Sequence, residues 1–545
     1  MKLIKLLGIL FICLSLNTGL ADGQNRKIEA DFTKVLAPKS ESYFKCIGAG
    51  RAAEGLRADW RRHLADVQNT FPFEYVRFHG LLHDDMGVCS TNPLNDNEII
   101  YNFQYIDELY DYLLSVNIKP FVELSFMPSP LASGDKTVFW WKGNITPPNS
   151  YEAWAELIER LVNHLTKRYG EEEVESWYFE VWNEPNHPSF FSGNMEEYFK
   201  LYSVTAKTIK SINPNYRVGG PATAGNGWVE EIIKYCDENN VPLDFVSTHT
   251  YGVWGALDEF GVQQLKLVPY PNSVANAVNE TRAKMNKKEG DSKRGAKYKR
   301  GRGHKGEAGS KSELELHYTE WSSSYSPRDL THDTYLNAAY VLNSLRKIED
   351  GAVNSMSYWT FTDVFEESGV PTTPLHGGFG LINQQGLHKP TYFAYKYLYQ
   401  LGQDELVNDD LDSWVCKDEK GGIQVLAYNL TMPAYAKKDF NNTIFGKIRE
   451  AREISDLEIN LKNLPNGKYK IEIYRTGFEK NDIQTTYYKL GKPSILYPDQ
   501  QKSLELVSSD KPELVDIIDI TIGNYSETFS MRENDIYLIK LSPLF

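Results

Sequence analysis

The sequence predicts an α/β fold, a (β/α)8 TIM barrel followed by a C-terminal β-sandwich. Three observations carry this. Between about residues 43 and 401, short apolar runs alternate with amphipathic helical patterns eight times, which fits a closed barrel better than an open doubly wound sheet. After about 405 the hydrophobic period changes to two, as in half-buried antiparallel strands. Finally, 545 residues exceed one ordinary core, so two or three domains are expected.

The elements follow in order. The opening segment, MKLIKLLGILFICLSLNTGLADGQ, places lysines ahead of an apolar stretch and ends small at Ala21, the pattern of a signal peptide over 1–21. It is too short for a dependable membrane span, and bulky Ile12 before Cys13 argues against a lipid anchor. Export without a membrane anchor is expected, to the periplasm or the exterior. Strands are expected at 43–48 (YFKCIG), 75–78 (YVRF), 119–124 (KPFVEL), 177–182 (WYFEVW), 216–219 (YRVG), 244–249 (DFVSTH), 313–319 (ELELHYT) and 355–361 (SMSYWTF). Helical patterns fall between them and after the last, giving a barrel over 43–401. The clearest helix is 151–169, where Trp154, Leu157, Ile158, Leu161, Val162 and Leu165 recur at helical spacing and Gly170 stops the run. Over 405–545, segments such as "GGIQVLAYNLTM" and "LEINLKNLPNGKYKIEIYRTG" alternate with period two, and Asn466–Gly467 signals a hairpin. Residues from 25–42 are candidates to join this sandwich. One insertion, "KKEGDSKRGAKYKRGRGHKGEAGSK" at 287–311, reads as a solvated connector rather than a patch for acidic glycans or nucleic acid, since Tyr298 is its only aromatic residue.

Composition excludes some functions. A net charge of −14 argues against a general nucleic-acid binder. Beyond the signal the cysteines are Cys46, Cys89, Cys236 and Cys416, with no C-x-x-C pair, so neither a zinc site nor a disulfide framework is indicated. "GAGRAA" at 48–53 fits a loose dinucleotide pattern, but the next strand ends in His79 rather than the acid that ribose binding needs. Its glycines read as a tight strand-to-helix turn, and no cofactor is expected. His79 and His83 are four apart, as in helical zinc motifs, yet they leave a strand and have no Glu between them. No metal is expected.

A pair of carboxylates remains. Glu184, in "YFEVWNEPN", and Glu320, in "LELHYTEWSSSY", end the fourth and seventh strands of the expected barrel. In a closed barrel those ends converge on one mouth. A retaining glycosidase needs two carboxyl groups about 5–5.5 Å apart, one to attack the anomeric carbon and one to protonate the leaving oxygen. Their surroundings must keep one ionised and the other protonated. Asn183, beside Glu184, suits a hydrogen bond to a sugar 2-hydroxyl.

At these residues the sequence resembles glycoside hydrolase family 39, the family of β-xylosidases and α-L-iduronidase, and is more similar to the xylosidase branch. The resemblance spans about 43–400 and rests on "GAGRAAEGLRADWRRHL", "VRFHGLLHDDMGV", "FEVWNEPN", "THTYG", "HYTEWSSSY", "YWTFTDVFEE" and "PLHGGFGLI". It implies that Glu184 is the acid/base and Glu320 the nucleophile. It further implies that His79, Asn183, His249, Tyr251, Trp359 and Glu366 contact the sugar, with Phe126 and Glu367 beside them. The implied activity is hydrolysis of β-D-xylosides, the substrate partner being an oligosaccharide or simpler glycoside. An α-L-arabinosidase or uronate-directed enzyme of the same family is the alternative, and the acidic "DVFEE" segment argues against the uronate. A catalytically inactive carbohydrate-binding protein is the alternative of another class, and survival of Glu184, Glu320 and Asn183 together argues against it. The basic insertion departs from the xylosidase pattern.

Overall fold

In a computed structural model the protein is described over residues 26–257, 263–266, 270–287, 314–434 and 443–544. The signal peptide expected at 1–21 and, past Lys287, the basic insertion expected at 287–311 lie outside the described residues.

Eight parallel strands close into a barrel: β1 (Cys46–Arg51), β2 (Tyr75–His79), β3 (Lys119–Leu124), β4 (Tyr178–Val181), β5 (Arg217–Thr223), β6 (Phe245–Tyr251), β7 (Glu315–Ser322) and β8 (Ser355–Tyr358). Each is followed by its helix, α1 (Ala58–Thr70), α2 (Gln104–Ser115), α3 (Tyr151–Tyr169), α4 (Met195–Ile212), α5 (Val229–Asn239), α6 (Ser273–Met285), α7 (Tyr335–Arg346) and α8 (Pro390–Tyr399). α3 shows why the sequence folds this way. Ser150 Oγ accepts the Ala153 N–H at 3.2 Å to start the helix, and Gly170 takes φ 91° to end it. Between them Trp154, Leu157, Ile158, Leu161, Val162 and Leu165 are fully buried, each contributing about 1.5–3 kcal/mol.

The glycines of "GAGRAA" do not make the expected turn. Gly48 and Gly50 lie inside β1, and a Cβ on Gly48 would come within 2.5 Å of the Trp359 ring. Close approach of that indole requires the glycine.

Inward side chains fill the barrel in layers with the period of two that strands impose. Tyr75, Phe121, Tyr178 and Phe245 form an aromatic floor with Cys46, Phe121 and Tyr178 stacking at 4.8 Å. Two residues further along the same strands stand Arg77, Glu123, Glu180 and Ser247, all essentially inaccessible to solvent. The floor seals the barrel, and the polar layer above it supports the mouth.

Two further sheets pack face to face. One has three strands, Arg26–Asp31, Glu453–Lys462 and Tyr525–Arg532. The other has seven, among them Val35–Pro38, Ile423–Tyr428, Gly467–Thr476 and Ile536–Pro543. Ile28, Ile459, Val425, Ile471 and Ile539 meet in their common core. The Asn466–Gly467 signal does not produce a hairpin. It joins strands of different sheets, because the apolar faces of Glu453–Lys462 and Gly467–Thr476 meet across the core instead of pairing edge to edge. The four cysteines beyond the N-terminal segment are free and buried. Among the described residues no helix is long and apolar enough to cross a membrane.

Candidate active site

Arg77 organises the barrel interior. Its Nε donates to Glu180 Oε2 at 2.8 Å, Nη1 to Glu320 Oε1 at 2.5 Å, and Nη2 lies 2.7 Å from Glu123 Oε2 and donates to Asn183 Oδ1 at 3.0 Å. Burial alone would raise the Glu123 carboxyl, but Arg77 and His79 together hold it below its ordinary value. None of Arg77, Glu123 and Glu180 was singled out by the motifs. Their signal lies in the strands themselves, where each stands between two apolar neighbours: Val76 and Phe78, Val122 and Leu124, Phe179 and Val181. A charge in a strand buried on both faces needs a partner inside the fold.

A bulge aims Glu320. The register between β6 and β7 shifts so that Thr248 pairs with Tyr318 but His249 pairs with Glu320. Thr319 and Glu320 consequently both face inward, where strict alternation would send one of them out. β7 also runs past the expected end at 319 to Ser322. Glu320 accepts from Arg77 on one oxygen and from the Tyr251 hydroxyl on the other, at 2.7 Å.

A sharp chain reversal aims Glu184. Trp182 and Glu184 take φ values of 72° and 42°, costing on the order of 1–3 kcal/mol each for residues with a Cβ. The Glu184 N–H donates to the Ala222 carbonyl at 2.8 Å, which ties the turn to the end of β5. β4 ends at Val181, and the reversal begins at Trp182, before Pro185. The Glu184 side chain meets His249, whose Nδ1 lies 2.8 Å from Oε1. A carboxylate oxygen of Glu184, one of Glu320 and a ring nitrogen of His249 all lie within 4.8 Å of one another.

Most of the expected residues gather around this pair. His79 Nδ1 is 2.7 Å from Glu123 Oε2 and its Nε2 is 3.4 Å from Glu320 Oε1. The Trp359 ring lies 4.8 Å from the His79 ring, and Phe126 lies 6.1 Å from it on centroids. The two adjacent acids of "DVFEE" diverge. Glu367 reaches inward, 3.6 Å from His79 Nε2. Glu366 is tied away from the Glu184–Glu320 pair, with Oε1 accepting from Arg57 at 2.6 Å and Oε2 from Arg51 at 3.1 Å.

The electrostatics separate the two central carboxyls. Burial, then the charge on Glu320, pushes Glu184 well above the carboxylate range, and its hydrogen-bond partner is an imidazole that burial and Arg77 hold neutral. Glu320 instead faces the Arg77 guanidinium. Burial and Glu320 also push Glu367 well up, and the same two influences keep Tyr251 a hydroxyl. Glu184, His249 and Glu320 have the spacing of metal ligands. A cation there would sit beside the Arg77 guanidinium, which holds Glu320 Oε1, and the oxygen facing His249, Oε2, already accepts from Tyr251, so the donor set does not fit a metal. The arrangement suits one proton donor and one nucleophile.

Comparison with known proteins gives the family. The family described as Glycosyl hydrolases family 39 matches residues 26–516. A "Beta-xylosidase" of Caldicellulosiruptor saccharolyticus is 38% identical over 490 residues, 90% of this chain and 93% of that one. A "Beta-xylosidase" of Geobacillus stearothermophilus is 42% identical over 395 residues, 71% of this chain and 73% of the other. The crystal structure of a monomeric beta-xylosidase from Caulobacter crescentus CB15 superposes with a TM-score of 0.86 at 39% identity, covering 95% of this chain and 100% of that one. A barrel with two unlike carboxyls at its mouth, matched by one family along nearly its whole described length, leads to one assignment: the chain belongs to glycosyl hydrolases family 39 and is a glycoside hydrolase.

Proposed function

We propose that the protein is an exported, retaining exo-glycosidase of β-D-xylosides. The observation that carries the mechanism is the pair of buried carboxyls with oxygens within 4.8 Å and unlike surroundings. That separation favours direct attack over an interposed water. Glu320, its charge matched by Arg77, attacks the anomeric carbon and forms a glycosyl-enzyme. Glu184, kept protonated by burial and by Glu320, donates its proton to the leaving oxygen. Glu184 then takes a proton from water, which displaces the sugar from Glu320. Asn183 presents its NH2 to the 2-hydroxyl, since its Oδ1 is engaged by Arg77. Trp359 and Phe126 supply apolar walls, and His79, Tyr251 and Glu367 supply polar contacts. Glu366 serves from behind, through Arg51 and Arg57.

The xylose preference is supported by the relatives described as β-xylosidases. An inward Glu367 beside Glu320 disfavours a uronate, whose carboxylate would meet acids. Export rests on the N-terminal pattern at 1–21.

Glu184→Ala tests the acid/base role. Activated aryl xylosides should still glycosylate the variant, with deglycosylation limiting and azide restoring it. Unactivated xylosides should fail at the first step. Equal losses on both, without azide rescue, would refute the assignment.

A further inference from the structure

Beneath the two carboxyls runs a buried chain of hydrogen bonds that neither step of the double displacement uses. Thr319 Oγ1 donates to Glu180 Oε1 at 2.8 Å. His249 Nε2 lies 3.2 Å from the same Thr319 oxygen, and His249 Nδ1 lies 2.8 Å from Glu184 Oε1. Glu180, Thr319 and His249 are completely buried.

The polarity of this chain follows from counting protons. A threonine hydroxyl has one proton, and here it goes to Glu180. Toward His249 the hydroxyl can only accept, so Nε2 carries the ring proton. Burial and Arg77 keep the ring neutral, which leaves Nδ1 bare. A bare Nδ1 at 2.8 Å from Glu184 needs a donor, and among the described residues the proton at that contact is the carboxyl's own. We propose that Thr319 and Glu180 are positioning residues that fix the Nε2–H tautomer of His249 and thereby hold the acid proton on Glu184. The proposal rests on the acid/base reading of Glu184.

The reverse polarity has the same net charge. It would place the proton on Glu180, have Thr319 donate to Nε2, and have Nδ1–H donate to an ionised Glu184. The neighbours decide between them. Glu180 faces Arg77, Glu123, Thr319 and Ser247; burial, with Glu123 adding to it, raises its carboxyl above the ordinary value, against the opposing pull of Arg77 and the hydroxyls of Thr319 and Ser247. Glu184 faces His249 and Glu320, with Arg77 and Glu123 farther off, and there burial and the Glu320 charge act together for the neutral form. The proton therefore stays on Glu184 and the charge on Glu180, beside the guanidinium.

Thr319→Val removes the hydroxyl at nearly constant volume. His249 is then free to protonate at Nδ1 and donate to Glu184, which stabilises the carboxylate. The alkaline limb of kcat/KM should move down on the order of one pH unit, a roughly tenfold loss above the limb. The loss should be large for phenyl xyloside and small for dinitrophenyl xyloside, and Thr319→Ser should restore the limb. Nitrogen NMR of histidine-labelled wild-type enzyme should show His249 protonated at Nε2. A folded Thr319→Val variant with an unmoved limb, or wild-type His249 protonated at Nδ1, would overturn the proposal. If Thr319→Val does not fold, the wild-type spectrum and the Thr319→Ser profile decide it. If Glu184→Ala shows leaving-group dependence and azide rescue while Thr319→Val fails, the positioning role alone falls. If Glu184→Ala itself shows neither, the acid/base reading falls with it.

Discussion

Replacing Arg77 with Met withdraws the guanidinium that holds three buried carboxylates. The substitution breaks ion pairs with Glu180 at 2.8 Å, Glu320 at 2.5 Å and Glu123 at 2.7 Å. Adding charged hydrogen bonds at about 1.5–3 kcal/mol apiece would overstate the damage, because bonds sharing one donor are not additive and stranded carboxylates take up protons. Breaking a buried ion pair costs about 3–5 kcal/mol, which for a chain of 545 residues corresponds to a Tm drop of only about 3–5 °C. The sign with pH is the sharper test. In the wild type Arg77 and His79 overcome burial and depress Glu123, so its contribution is present above the unfolded carboxylate pKa and lost as pH falls through the folded one. Without Arg77, burial acts with less opposition on Glu123 and Glu180. Their folded pKa values then rise, and stability is lost as pH rises through them. The Tm gap between wild type and variant should therefore widen from about pH 4.5 to about pH 8. Thermal melts across that range, followed by circular dichroism, measure it. A gap independent of pH, or one that widens toward acid, would refute the charge-balancing role. Turnover should fall about 10²–10³-fold, the scale for losing one preorganised electrostatic contact.

Other outcomes follow from the same geometry. Glu184→Gln should melt higher than wild type, increasingly so as pH rises. The wild-type carboxyl, with its raised folded pKa, contributes fully below the ordinary carboxylate pKa and loses that contribution as pH rises through the raised one, whereas an amide does not titrate. Tyr251→Phe removes the 2.7 Å hydrogen bond to Glu320 and should lower kcat/KM about tenfold to a hundredfold, with little change in a urea midpoint. Lys389 is buried with its ammonium 2.9 Å from Asp333 and 3.1 Å from Asp363; Lys389→Met should cost about 3–5 kcal/mol in urea unfolding while leaving KM of the folded enzyme unchanged.

The barrel was legible because its strands are short apolar runs and its helices carry one apolar stripe, a contrast that α3 shows at every turn. The carboxyl pair was legible because strand ends are where a barrel places chemistry. Other features depend on contacts that no local pattern encodes. The bulge that turns Glu320 inward is a mismatch between β6 and β7, about 70 residues apart in the chain. Glu366 and Glu367 are chemically identical neighbours, and only Arg51 and Arg57, supplied by the first β/α unit, decide which of them reaches His79. Asn466–Gly467 has hairpin chemistry, yet the faces flanking it are matched across a core. Arg77, Glu123 and Glu180 were visible as charges inside apolar runs, but their partnership needed the closed barrel.

The central claim is that Glu320 forms a covalent bond to the sugar. Incubation with a 2-fluoro-xyloside carrying an activated leaving group, followed by proteolysis and mass spectrometry, tests it most directly. The account predicts a single fluoroxylosyl adduct on a peptide containing Glu320, lost in Glu320→Ala, with β-xylose as the first product released from an unmodified β-xyloside. An adduct on another residue, or α-xylose as the first product, would contradict it.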